Sequence, residues 1–535
     1  MYYRYFFLFL FFWLLAFIAY YPAHGAQFIY DHNMWAVEYE RLGWRGIYTQ
    51  WGEPSIHYIF QCTYFILYKL LRWHGCYWTL LQTAWHATNA TLLYVLVAHW
   101  SRVYQFANPK QVALWAALFF LLSPYHTEVL VWGAAIEYMI VTSFMLGAII
   151  CFSRYLQQRR LVFAIATYVL YILALLTWEL ALIFPAVLLL LYFLSPYGGL
   201  SFRRFLFYFF IPMALLLPFY FLLGKWTSGT AIAHYGAAVH LNFSPSLLIP
   251  NLTRFILKLF DLSLLFSFLH SVAFIDWLRS PLLLLVQVIL YSGLCIIGLR
   301  AAILRKHLFW ALMVGLAFIS LIPLLNLYFA YFTYIESDRY VYLSAAFFYA
   351  ALSATIFFLP RLPRHLLLIG FLLVQVFFLH RFVYDWRTSG RVVQGLVQGF
   401  QWQNAHHIYV LATPDAMAGA WCLRSQPPHG ISLALLAQRH IDIRSRMSEV
   451  LQYEMMHSND SCHAEKIAEA TYHFAFTQYG DWFIKCGMGV PRHWENDEFI
   501  VDVDEWNMSF VVKIKNYQPA DVVLYQVGGR WIEIK

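Results

Sequence analysis

Four short stretches put ionisable side chains where a chain this apolar has little reason to carry them. SPYHTEVLVWGAAIEY (123–138) sets His126 and Glu128 two apart, with Trp132 one helical turn beyond Glu128 and Glu137 five residues after that. LLTWELALIFP (175–185) holds Glu179 in a very short break between apolar runs, where an ionisable group is costly unless paired or used. FIYDHNMWAVEYE (28–40) places Asp31 just beyond the first apolar run. ESDRYVYLS (336–344) places Asp338 and Arg339 at the mouth of a later one. An acid where the chain leaves a bilayer can sit partly desolvated, tuned to accept a proton from a hydroxyl. An arginine fork suits a phosphate. Plainer roles fit the same residues: a hydrated loop aspartate, polar caps on a hairpin turn, a snorkelling arginine paired with Asp338. No His-Glu-x-x-His or Cys-x-x-Cys spacing occurs, so a metal site has little support.

The elements that must hold these residues are apolar helices. The chain has 535 residues, 61% hydrophobic and 12% charged, about half the charge of a soluble domain, and a mean hydropathy of +0.58. Apolar runs long enough to cross a bilayer recur to about residue 382. They predict about eleven spans, near 5–22, 78–100, 111–124, 137–153, 161–177, 180–195, 205–223, 279–299, 307–326, 340–358 and 364–382. The first reads as a retained span rather than a cleaved signal peptide. The formal charge of +8 resides largely in short connectors, RYLQQRR (154–160), SFRRF (201–205), LRKH (304–307) and PRLPRH (360–365). Such connectors mark the cytoplasmic side, and nothing in their pattern suggests nucleic acid. That places the N-terminus inside, the C-terminus outside, and Asp31, Glu128, Glu179 and Asp338 together on the external face. Loops 23–77 and 224–278 are external, each with an amphipathic helix in the interface. The second, in 252–270, spaces Arg254, Lys258 and Asp261 along one face.

From residue 386 the composition changes, dividing the chain into a membrane domain, 1–385, and an external globular domain, 386–535. HHIYVLATPDAMAGAW reads as a buried strand ending in a Pro-Asp turn. EFIVDVDEW, SFVVKIKN and VVLYQVGGRWIEIK read as strands, the last folded into a hairpin at Gly-Gly. The expected fold is therefore an all-α polytopic membrane domain with a C-terminal soluble α/β or β-rich domain. Cys62, Cys76, Cys422, Cys462 and Cys486 would allow one or two disulfides in an oxidising compartment.

YDHNMW, then EPSIHYIFQCTYFILYKLL, SPYHTEVLVW, LLTWELALIFPAVLLLLYFL and ESDRYVYLS, taken in order, resemble the GT-C membrane glycosyltransferases over about residues 1–390. The resemblance is to the protein O-mannosyltransferase branch with tetratricopeptide tails, although this tail has no such repeats. It implies an inverting enzyme that passes a sugar from a polyprenyl-phosphate carrier to a protein or glycan acceptor. Asp31 falls on the family's catalytic base. His126 and Glu128 fall on its His-Thr-Glu turn beside the donor, with Glu128 the second catalytic candidate and next in line as base after Asp31; Glu179 falls on its acid between spans, and Arg339 on an arginine for the carrier phosphate. Asp338 borders that arginine, and Lys225 or Arg254 is a further cation for the phosphate. The lipid-linked sugar is the donor; no cofactor is implied, and a divalent metal stays open. His32 follows Asp31 where relatives have paired acids, and Ile136 and Glu137 stand in place of Arg-Ala-Asp. A non-catalytic scaffold subunit of a membrane complex is the alternative. A bacterial inner membrane is the expected location.

Overall fold

The computed structural model describes residues 2–29, 31–50, 53–197, 199–229, 242–265, 272–304, 307–326, 338–423, 430–457, 460–478, 481–485, 488–504 and 508–535. Its first part is a helical bundle: α1 (Tyr2–Tyr20), α2 (Asp31–Leu42), α3 (Tyr58–Leu71), α4 (Gly75–Val103), α5 (Pro109–Leu121), α6 (Thr127–Val131), α7 (Glu137–Gln158), α8 (Leu161–Leu175), α9 (Phe184–Leu194), α10 (Ile211–Ser228), α11 (Pro245–Leu259), α12 (Pro281–Ile303), α13 (Leu308–Leu321), α14 (Tyr342–Phe357) and α15 (Arg361–Gly399). Among the described residues six helices are long and apolar enough to cross a membrane, and the bent pair α5–α6 makes a seventh candidate. The six include Tyr3–Ala26, the expected first span. Helices also occupy the other expected spans, but α8, α9 and α13 are short. The 29-residue α4 dilutes its apolar run with buried Gln82, His86, Asn89 and Ser101.

The two ends of the bundle differ. At one end the basic connectors gather: Phe106 packs on Phe309 and Phe358, His307 on Phe358, and Arg364 stacks over Phe357. The other end carries α2, α3 and the 123–137 turn. There the break between α5 and α6 follows from Pro124. A residue before proline is steered away from helix, and Ser123 is extended (φ −63°, ψ 127°), bending the pair by 55°. Trp132 is again extended, so α6 is a single short turn before α7 begins at Glu137.

α15 has 39 residues, roughly 58 Å of helix against about 30 Å of hydrocarbon. It runs unbroken through residue 386 and leads into the C-terminal domain, whose strands begin at residue 408. There β1 (Ile408–Met417), β2 (Ala420–Trp421), α16 (Gly430–Arg439), β3 (Met447–Met455), β4 (Cys462–Ala468), β5 (Thr471–Phe476), β6 (Trp482–Lys485), β7 (Met488–Gly489), β8 (His493–Glu495), β9 (Phe499–Asp504), β10 (Ser509–Ile514), β11 (Val522–Val527) and β12 (Arg530–Ile534) form two sheets. One runs β12-β11-β1-β3-β6-β7 with β2 paired to β1; the other is β8-β9-β10-β5-β4. β11, β1 and β3 are parallel, with α16 as the crossover between β1 and β3. The last hairpin turns at Gly528 and Gly529, both at positive φ, as a tight two-residue turn requires.

The Pro414–Asp415 pair is not the end of its strand. β1 runs through it, and its register against β3 shifts between Pro414 and Ala416, where proline has no N–H to give the ladder. The turn comes instead at Ala418–Gly419, both at positive φ. Cys62, Cys76, Cys151, Cys295, Cys422 and Cys462 are free thiols; Cys486 lies outside the described residues, as does Glu336.

Candidate functional site

At the end of the bundle away from the basic connectors, residues from four distant segments meet. Glu128, on α6, is 2% exposed. Its carboxylate pairs with the Arg339 guanidinium and accepts the Arg339 backbone N–H at 2.9 Å. It also accepts the indole N–H of Trp421, from β2 of the C-terminal domain, at 3.0 Å. The Arg339 fork lies over Trp132 (5.4 Å) and Tyr340 (4.8 Å), and donates to the Tyr340 hydroxyl at 3.3 Å.

Glu137 starts α7 and lies in the electrostatic field of Arg339, Asp31 and Glu128. Asp31 starts α2 and is buried. Asp31 and Glu137 both act on Tyr64 of α3, whose hydroxyl is pushed up mainly by burial, with neighbouring negative groups adding to it. Tyr64 bonds the His32 ring at 2.5 Å, and burial drives that imidazole down to about 3, keeping it neutral. Three carboxylates, one guanidinium and the rings of Trp35, Trp132, Tyr138 and Tyr340 thus share one buried region. A desolvated carboxylate in such a set can take or give a proton.

Asp338 turns from the Arg339 fork to Lys258 of α11, and the two form an almost fully buried ion pair. Burial pushes the Asp338 carboxyl up to about 6 against the pull of the lysine, and burial lowers Lys258. Lys258 sits over Tyr125, 5.3 Å from the ring centre. The amphipathic helix thereby brings Lys258 to the same end of the bundle with its charge already paired to Asp338.

The remaining sequence candidates stand elsewhere. His126 is wholly buried among Phe120 (4.6 Å), Tyr342 (4.5 Å) and His86 (5.4 Å). Its neighbour Glu128 faces Arg339, whereas the imidazole packs into an aromatic core that supports the turn. Glu179 accepts a hydrogen bond from the His57 ring at 2.9 Å, and the Tyr220 hydroxyl lies 3.4 Å from the same ring nitrogen. Glu179 thus belongs to a second polar group, which His57 shares with Trp178 at 4.6 Å. Lys225 is exposed in the last turn of α10, and among the described residues it is not part of the cluster. Arg339 differs from the expected free phosphate ligand: its charge is already paired with Glu128.

Sequence reasoning missed Trp421, His57 and the pairing of Lys258 with Asp338. Trp421 sits in a soluble-looking segment 293 residues from its partner, and nothing local marks it. Among the described residues no three His, Cys, Asp or Glu side chains are grouped to hold a metal. The chain matches no known family model and no curated protein sequence.

Proposed function

We propose that this protein is an integral-membrane glycosyltransferase that moves a sugar from a polyprenyl-phosphate carrier to an acceptor at the end of the bundle bearing Asp31, as in the GT-C enzymes it resembles. The observation that carries the reading is the convergence of Asp31, Glu128, Glu137 and Arg339 from separate segments into one buried, aromatic-walled region. A polyprenyl phosphate is a competent leaving group, so no nucleotide fold is required. Asp31 takes the proton of the acceptor hydroxyl as its oxygen attacks the anomeric carbon, and the bond from that carbon to the phosphate oxygen breaks with inversion. Glu128, with three N–H groups on its two oxygens, holds Arg339 in place and is not the base. At this mouth the cations are Arg339 and Lys258, each already paired, with Glu128 and Asp338, so they meet the leaving phosphate, where charge develops, only by giving up those partners. Eleven spans with the basic connectors in the cytoplasm put this mouth, and the C-terminal domain, on the external face.

The experiment is sugar transfer or release from a labelled panel of polyprenyl-phosphate sugars by purified wild type and Asp31→Asn. Loss of turnover in the variant with carrier binding kept is the expected result. Turnover that survives moves the base to Glu137. A second reading, a non-catalytic scaffold, is favoured by one observation: Arg339 is already neutralised by Glu128 beneath Trp421. A folded wild type that turns over no donor in the presence of acceptor decides for it.

A further inference from the structure

The most informative contact outside the bundle's own residues is the one from Trp421. An indole offers a single donor and no acceptor, and an ionised carboxylate only accepts, so the two match without competing geometry. Trp421 is 1% exposed and Glu128 2%, so neither can exchange this bond for water. The indole is also held firmly. Its strand β2 folds back on β1 with Ala416 opposite Trp421 and Met417 opposite Ala420. The next residue, Cys422, donates its N–H to the Asp415 carbonyl at 2.8 Å. The Ser389 hydroxyl, from α15, donates to the Trp421 carbonyl. The Trp421 ring lies 6.4 Å from Trp132, the same ring that lies under Arg339.

The same domain reaches the other acid. Gln438 on α16 donates to the Asn33 side chain at 2.9 Å and to the Phe28 carbonyl at 3.2 Å. These bracket Asp31 at the start of α2. The C-terminal domain thus touches two of the three elements that carry the clustered acids, once through a buried hydrogen bond to a carboxylate.

We propose that Trp421 is a positioning residue of the site: its indole N–H, delivered by the C-terminal domain, fixes the Glu128 carboxylate and so holds the Arg339 guanidinium in place beside Glu137. The proposal rests on the glycosyltransferase reading for its catalytic consequence, and on geometry alone for the contact. Without the indole, Glu128 keeps the Arg339 backbone N–H on one oxygen, while the oxygen that the indole shared is left to the guanidinium alone and is no longer held from the C-terminal domain.

The test uses the full-length protein and Trp421→Phe, which keeps an aromatic ring and removes the N–H. Hydrogen exchange needs no substrate: it is expected to rise in residues 124–137 and 338–345 while β3 stays unchanged. With a donor that wild type turns over, kcat should fall roughly tenfold or more, the size of one charge-assisted hydrogen bond, with donor KM within about threefold of wild type. Pure interdomain packing would lower thermal stability and leave the kcat of the folded fraction unchanged; that outcome overturns the proposal, as does unchanged exchange in 124–137. If wild type turns over no donor, the glycosyltransferase reading falls, and the exchange comparison still decides whether Trp421 holds the Glu128 turn. Should Trp421→Phe not fold, Ser389→Ala, which loosens the Trp421 carbonyl and spares the indole, must raise exchange in 124–137; no change overturns the proposal.

Discussion

Glu128 and Arg339 show why a buried ion pair is a poor place for a single substitution. Taking either charge out of water costs several kcal/mol, recovered only while its partner is present. Glu128→Gln leaves the guanidinium facing a neutral amide with a single acceptor oxygen and should cost about 3 kcal/mol or more, read as a lower unfolding temperature in detergent. Glu128→Leu with Arg339→Met should recover most of that loss, because it removes both charges. The C-terminal domain offers a pH test at the same scale. Burial pushes Glu449 up to about 7 against the pull of the Thr413 hydroxyl. Burial, helped by Glu449's charge, pushes Asp415 well above the carboxylate range, and burial pushes Asp481 up to about 7. A raised folded-state value means stability that is whole below the unfolded value and lost as pH climbs through the folded one. The domain should therefore be more stable near about pH 5 than near about pH 8. Glu449 alone accounts for on the order of 3 kcal/mol, from 4.5 to about 7. Unfolding temperature against pH checks the sign, and Glu449→Gln should flatten the slope.

Among the elements, α15 joins the two halves of the molecule, and two of its glycines allow the close contacts. A Cβ on Gly390 would stand 2.6 Å from the Ala26 backbone, and one on Gly395 would stand 2.5 Å from the Gly529 carbonyl. Gly390 lets α15 lie against the 21–27 turn that leads to Asp31, and Gly395 seats the β11–β12 hairpin on the helix. Overpacking of this kind costs roughly 1–3 kcal/mol. Gly390→Ala should loosen the bundle end, and Gly395→Ala the hairpin. Limited proteolysis should show new cleavage near residues 21–30 in the first variant and near 515–535 in the second, with the converse region protected.

For the whole molecule the open quantity is how often the chain crosses. Eleven spans with basic connectors inside, as proposed, would put the termini on opposite sides, with the aromatic cluster of Phe106, Phe309 and Phe358 in the cytoplasm and Trp421 outside. A cysteine at exposed Ala107 should then react with an impermeant thiol reagent only after the membrane is opened, while a tag after Lys535 is reached from outside in intact cells. Both markers on one side would require an even number of crossings between them.

The residue pattern alone determined the apolar helices, the change of composition before the first strand, the β11–β12 hairpin and the gathering of carboxylates at one end. Each of these rests on local physics: hydropathy over about 20 residues, alternation over a strand, Gly-Gly at positive φ. It also singled out Asp31, Glu128 and Arg339 as candidates, because charges are conspicuous in an apolar background. Their partners were beyond its reach. Whether Arg339 is free for a phosphate or bound to Glu128, whether Asp338 pairs with its neighbour or with Lys258, and whether His126 faces substrate or an aromatic core depend on which side chains meet across 80 to 293 residues of chain. The tertiary structure decided these, since an ion pair in a desolvated interior forms with whichever partner the packing brings within reach, and sequence spacing carries no record of that.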